Sequence, residues 1–78
     1  MTVYAVFRSR AQTLDFLRAI KDMGVPAQAV STPREAGVGC GISAKFDARF
    51  LERVRFVLKK KPYSSFAGFL QGERYLSG

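Results

Sequence analysis

The stretch from Ile42 to Lys61, ISAKFDARFLERVRFVLKKK, decides the fold. Ile42, Ala44 and Phe46 alternate with Ser43 and Lys45, the period of a strand with one buried face. At Asp47 the period changes. Phe50, Leu51, Val54, Val57 and Leu58 then recur at helical spacing, with Asp47 placed to cap the first turn and Lys59, Lys60 and Lys61 to complement the last. Pro62 stops the helix. Upstream, Thr2 to Arg8 is a β-branched and aromatic run with apolar side chains on both faces, as a central strand requires. Ser9 and Gln12 have the spacing of a capping box. Ala11, Leu14, Leu17, Ile20 and Met23 follow at helical intervals until Gly24 and Pro26. Ala27 to Ser31 reads as a short second strand, and Phe66 to Leu70 as a last one before a polar tail at Gln71, Gly72, Glu73 and Arg74. The element order is therefore βαββαβ. Two amphipathic helices are buried most simply on one face of a four-stranded antiparallel sheet, so the expected fold is a ferredoxin-like α/β (α+β) sandwich.

The chain has 78 residues and is expected to form a single domain, 1–78, with a small core and little room for an enclosed cavity. A self-contained enzyme with a deep pocket is disfavoured; a carrier or binding protein is expected. Thirteen Lys and Arg against six acids give a net charge of +7, which suits an anionic partner without naming one. There is no His, which removes the commonest general base and metal ligand and excludes Ser-His-Asp and Cys-His chemistry within the chain. The single Cys40 can close no internal disulfide and build no thiolate metal cage, so neither a metal nor a cofactor is expected. Met1 to Phe7 lacks the basic start and long apolar stretch of a signal peptide or anchor, and the expected setting is a reducing cytoplasm with no membrane.

Ser31 to Gly41 is the longest connection and far exceeds what a hairpin needs. Gly37, Gly39 and Gly41 crowd into it, and Cys40 stands between two of them. A thiol flanked by glycines can be presented to a partner, and Arg34 would favour its thiolate if the loop folds back, while Glu35 would oppose it. Free Cys is also among the most buried residue types, so a reactive thiol and a core filler both remain open. A phosphate cradle is a poor fit, because a strand and not a helix follows the glycines.

Thr32, Pro33, Arg34 and Glu35, followed by Gly39, Cys40, Gly41 and the alternating Ile42 to Phe46, resemble the signature of the selenium/sulfur (Se/S) carrier protein-like family of short bacterial proteins, a domain of unknown function. The similarity runs from the Tyr4 to Phe7 strand through Gly24-Val25-Pro26 to the second helix, and fades from Phe66 onward. The resemblance implies a carrier in which Cys40 receives a persulfide or perselenide from a cysteine desulfurase-like donor and passes it to an acceptor protein. Arg34 would then pair with the anion, Gly39 and Gly41 would let Cys40 swing, and Thr32, Pro33 and Glu35 would be binding or supporting residues. The lack of a second Cys is compatible with storing the atom, since none is there to discharge it as a disulfide.

The basic residues are scattered over both helices. Arg49 and Arg53 share a face of the second helix, and most of the charge reads as a solvated surface. Small ferredoxin-like domains can bind RNA by stacking bases on sheet aromatics, for which Tyr4 and Phe46 are the candidates if they face outward. An acidic protein partner is the other alternative for this basic module.

Overall fold

The computed structural model describes residues 1–37, 39–71 and 74–76. Its elements are β1 (Thr2–Phe7), α1 (Arg10–Asp22), β2 (Ala27–Ser31), a 3-10 turn (Arg34–Ala36), β3 (Ile42–Asp47), a second 3-10 turn (Ala48–Phe50), α2 (Leu51–Lys60), β4 (Phe66–Gln71) and β5 (Arg74–Leu76). The sheet order is β2-β3-β1-β4-β5, and every neighbouring pair is antiparallel. The first four strands and two helices are the expected βαββαβ ferredoxin-like arrangement. β1 lies between β3 and β4, pairing Ala5 with Ala44 on one side and Phe69 on the other. That position explains its run of apolar residues: Val3, Ala5, Val6 and Phe7 are all fully buried.

Both helices cover the face that carries Val3, Ala5, Phe7, Ala44, Phe46 and Phe69, with Phe16 and Ile20 from α1 and Val54 and Val57 from α2 filling the space. Phe7 is the hub, its ring centroid 4.8 Å from Phe16 and 5.2 Å from Phe66. Asp47 caps as expected, accepting from the Arg49 N–H at 2.9 Å. The cap opens the 3-10 turn, and α2 begins three residues later.

Three expectations need correction. The core stripe of α1 is Thr13, Phe16 and Ile20, whereas Leu14 and Met23 are each 44% exposed. Two overlapping stripes fit the helical period here, and the larger apolar area of Phe16 decides which one turns inward. Second, the capping box is half made. Ser9 accepts from the Gln12 N–H at 3.2 Å, but the Gln12 side chain bonds Ser64 and Ser65 and so ties α1 to the chain ahead of β4. Third, the polar tail returns as a strand: β5 pairs Gln71 with Arg74 and Leu70 with Tyr75. Gly72 and Glu73, also expected in that tail, lie outside the described residues.

The helix-free face is not bare. Val6 and Leu70 are fully buried there, and the 3-10 turn lays Ala36 over them, with Tyr4 and Ala67 alongside. The long connection thus closes over apolar side chains that the helices leave uncovered. No described helix is long and apolar enough to cross a membrane.

Candidate functional site

The loop that carries Cys40 is pinned to the C-terminal end of β1. Gly39 has a φ of +123°, and a Cβ built there would stand 3.1 Å from Val6 Cγ1 and 3.5 Å from the Phe7 carbonyl oxygen. Only glycine fits that approach. The Cys40 N–H donates to the Phe7 carbonyl at 3.0 Å, and the Thr32 N–H donates to the Gly41 carbonyl at 2.9 Å. Gly41, at φ +99°, then turns the chain into β3. Thr32 is fixed further by a 2.8 Å contact between its hydroxyl and that of the fully buried Ser43.

This route brings the half-buried Cys40 to the first turn of α1. Its sulfur lies 3.4 Å from the Thr13 hydroxyl and 3.5 Å from the Ile42 carbonyl oxygen. Thr13 Oγ1 is also 2.8 Å from the Ser9 carbonyl oxygen, which accepts from the Thr13 N–H at 3.0 Å. A hydroxyl has one hydrogen to give. While Cys40 is a thiol, Thr13 can donate to Ser9 and accept from sulfur. Once the sulfur is a thiolate, the same hydrogen can turn to it, and the Ser9 carbonyl keeps its bond from the Thr13 N–H.

Burial pushes the Cys40 thiol up, but hydrogen bonds from the Thr13 hydroxyl and from the backbone of Ile42 and Cys40, together with the positive charge of Arg10, more than offset it. The thiol is held below its ordinary value. The setting at a helix N-terminus acts in the same direction, since α1 has no acidic residue in its first turn to compete for the exposed amides.

Of the residues singled out in the sequence, Thr32, Gly39, Cys40 and Gly41 come together at the end of β1. Pro33 begins the 3-10 turn, its carbonyl accepting from the Ala36 N–H at 3.1 Å, and Glu35 lies within that turn. Arg34, expected as the cationic partner of the sulfur, is exposed on the same turn. Arg10, at the start of α1, is a cation whose charge favours the thiolate. Thr13 and Arg10 were missed because they sit in a helix read for its apolar stripe. Registered on Phe16 and Ile20, that stripe leaves Thr13 as a fully buried polar residue in need of a partner.

Among the described residues no three of His, Cys, Asp and Glu gather as a metal site would require. The aromatic pair considered for base stacking is divided, with Phe46 only 3% exposed in the helix-side core and Tyr4 on the opposite face. The sequence profile of the family described as Putative Se/S carrier protein-like matches residues 2–66. That span contains the whole Cys40 loop, both helices and the first three strands. No curated protein and no solved structure matches the chain at a significant level.

Proposed function

The chain belongs to the Putative Se/S carrier protein-like family, and from that premise we propose that Cys40 is its carrier thiol, loaded by a cysteine desulfurase-like donor and emptied by an acceptor protein. In the loading step the Cys40 thiolate attacks the outer sulfur of a donor persulfide, R–S–SH. A new S–S bond forms on Cys40, the donor's S–S bond breaks, and the donor leaves as R–S⁻ while the proton stays with the outer sulfur. Unloading is the mirror image: an acceptor nucleophile takes the outer sulfur and Cys40 leaves as thiolate. A perselenide follows the same steps with selenium in the outer place.

The observation that carries this reading is the contact between the Cys40 sulfur and the Thr13 hydroxyl at the start of α1. Thiolate character serves both halves of the cycle, because it populates the nucleophile and makes Cys40 a better leaving group when it hands the atom on. The Thr13 hydrogen follows the charge, free to bond the sulfur when it is anionic. Neither half needs a His, a metal or a cofactor, which suits a carrier better than a self-contained enzyme and fits a reducing cytoplasm.

The test is intact mass after incubation with a cysteine desulfurase and cysteine. The wild-type chain is expected to gain one sulfur that reductant removes, and Cys40→Ser to gain none. A wild-type mass unchanged with every persulfide donor tried, or a Cys40 that alkylates only after denaturation, would overturn the reading.

A further inference from the structure

The outer face of α2 carries a pattern that neither the core nor the Cys40 site uses. Phe56 is 47% exposed, and Met23, at the end of α1, is 44% exposed beside it. Two shallow grooves flank the ridge formed by Glu52 and Phe56, which stand one helical turn apart. One groove is lined by Met23, Phe50, Arg49 and Arg53, the other by Arg55 and Lys59. Cations also sit on the aromatic rings: Lys60 Nζ is 5.4 Å from the Phe56 centroid and the Arg49 guanidinium is 5.4 Å from that of Phe50. Among the described residues, Arg53, Arg55, Lys59 and Lys60 have no carboxylate within 4.0 Å.

We propose that this face docks an acidic protein partner, which seats one apolar side chain in the groove between Met23 and Phe56 and lays carboxylates on Arg53 and Lys60. Exposed apolar side chains ringed by one sign of charge form a complementary target for an apolar anchor in an acidic rim. Glu52 decides the class of partner. A uniform polyanion such as a lipid surface or a nucleic acid backbone meets repulsion at the centre of the patch, whereas a protein can place a neutral or basic side chain there. A second copy of this chain is opposed by its own net charge of +7. Because α2 runs antiparallel to β3, its lysine-rich end points back toward the end of the sheet that holds Cys40. The groove between Met23 and Phe56 lies by the C-terminal end of α1 and the first half of α2, so a partner reaches the sulfur only by extending along α2, and its role as donor or acceptor rests on the carrier reading.

The proposal is tested by titrating the ¹⁵N-labelled protein, at about 0.15 M salt where long-range charge effects are screened, with a short synthetic helical peptide of Glu and Ala that bears one Leu anchor. Saturable shifts are expected at Met23, Arg49, Arg53 and Phe56. Removing the anchor (Leu to Ser in the peptide) and the protein variant Phe56→Ser are each expected to weaken binding about tenfold. Shifts that avoid α2, or an affinity indifferent to both changes, would overturn it. So would phosphatidylglycerol vesicles or a single-stranded oligonucleotide that moves the same resonances at lower concentration than the peptide. Loading with inorganic polysulfide, which needs no docking, separates this idea from the carrier reading. Phe56→Ser is expected to load as the wild type does; if neither loads, the carrier reading falls and the peptide titration still decides the docking surface.

Discussion

The N-termini of the two helices meet their titratable neighbours in opposite ways. Ahead of α2, Asp47 is a neighbour in sequence whose carboxyl is held below the usual range, chiefly by the Arg49 backbone N–H and with help from the chain's terminal ammonium. That carboxylate is present at any pH near neutral. At α1 the cap is the neutral Ser9, the first helical residue is the cation Arg10, and the titratable group beside the first turn is Cys40, 27 residues from the Thr13 it contacts. One end has a carboxylate at every pH near neutral, and the other has a thiol whose charge depends on pH. A local carboxylate stabilises a helix outright; a distant thiol in the same kind of position does so only when ionised.

The comparison breaks most severely at the loop that makes the distant arrangement possible. Gly39→Val must adopt a positive φ and push a side chain into Val6 Cγ1, so a loss of roughly 1–3 kcal/mol is expected from the backbone alone. Urea unfolding measures it. Gly41→Ala, with nothing within 4 Å of its new Cβ, carries only the backbone strain and is expected to lose less. Equal losses at the two positions would mean that the loop is not seated on β1.

The caps come next. Ser9→Ala is expected to cost about 1 kcal/mol and to leave the pH profile of stability unchanged, since a hydroxyl does not titrate in the working range. Asp47→Ala is also expected to destabilise, with a different signature. Its carboxyl has a lowered folded-state value, so its contribution is present above the unfolded value near about 3.9 and is lost as pH falls through the folded one. The wild-type advantage over Asp47→Ala should therefore vanish in acid. Cys40, lowered in the same sense, adds stability above the ordinary thiol value and loses it as pH falls through its own lower one. An alkaline rise in stability that is absent from Cys40→Ser would set the two ends apart.

How far the sequence could be read follows the same division between local and distant. Elements defined by their own residues were legible: the alternation of Ile42 to Phe46, the Asp47 cap and the stripe through Val54 and Val57 all hold. The lone thiol in an overlong loop was also legible as a candidate. The sulfur's surroundings were not, because Thr13 is set beside Cys40 by tertiary packing that follows from Phe16 winning the core position over Leu14. The Arg34 expectation rested on nearness in sequence; Arg10, 30 positions from Cys40, could not be found that way, yet its charge also acts on the thiol. β5 was hidden because Gln71 and Arg74 read as a polar tail rather than as paired strand positions.

Thr13→Val tests the contact itself. The isostere keeps the volume and removes the hydroxyl that contacts the sulfur, so the thiolate is less favoured and the alkylation midpoint is expected to move up. Iodoacetamide labelling near pH 7 should slow several-fold, as expected when a hydrogen bond to a charged group is lost. Thr13→Ser, which restores the hydroxyl, should recover most of the rate. A midpoint that stays in place in Thr13→Val would leave the thiolate to the backbone of Ile42 and Cys40 and the charge of Arg10.

The smallest effect separates the two arginines. Arg10 acts on Cys40 through charge, after the hydrogen bonds from Thr13 and the backbone, so Arg10→Ala is expected to raise the alkylation midpoint only slightly. A Coulombic contribution of this kind is screened by salt, whereas the Thr13 hydrogen bond is not. The Arg10→Ala difference should therefore fade at about 1 M salt, where the Debye length is roughly 3 Å, while that of Thr13→Val persists. Arg34→Ala is expected to leave the midpoint where it is at either salt concentration. If Arg34→Ala shifts it more than Arg10→Ala does, the loop in solution folds its own cation onto the sulfur, and the α1 terminus becomes as locally neutralised as that of α2.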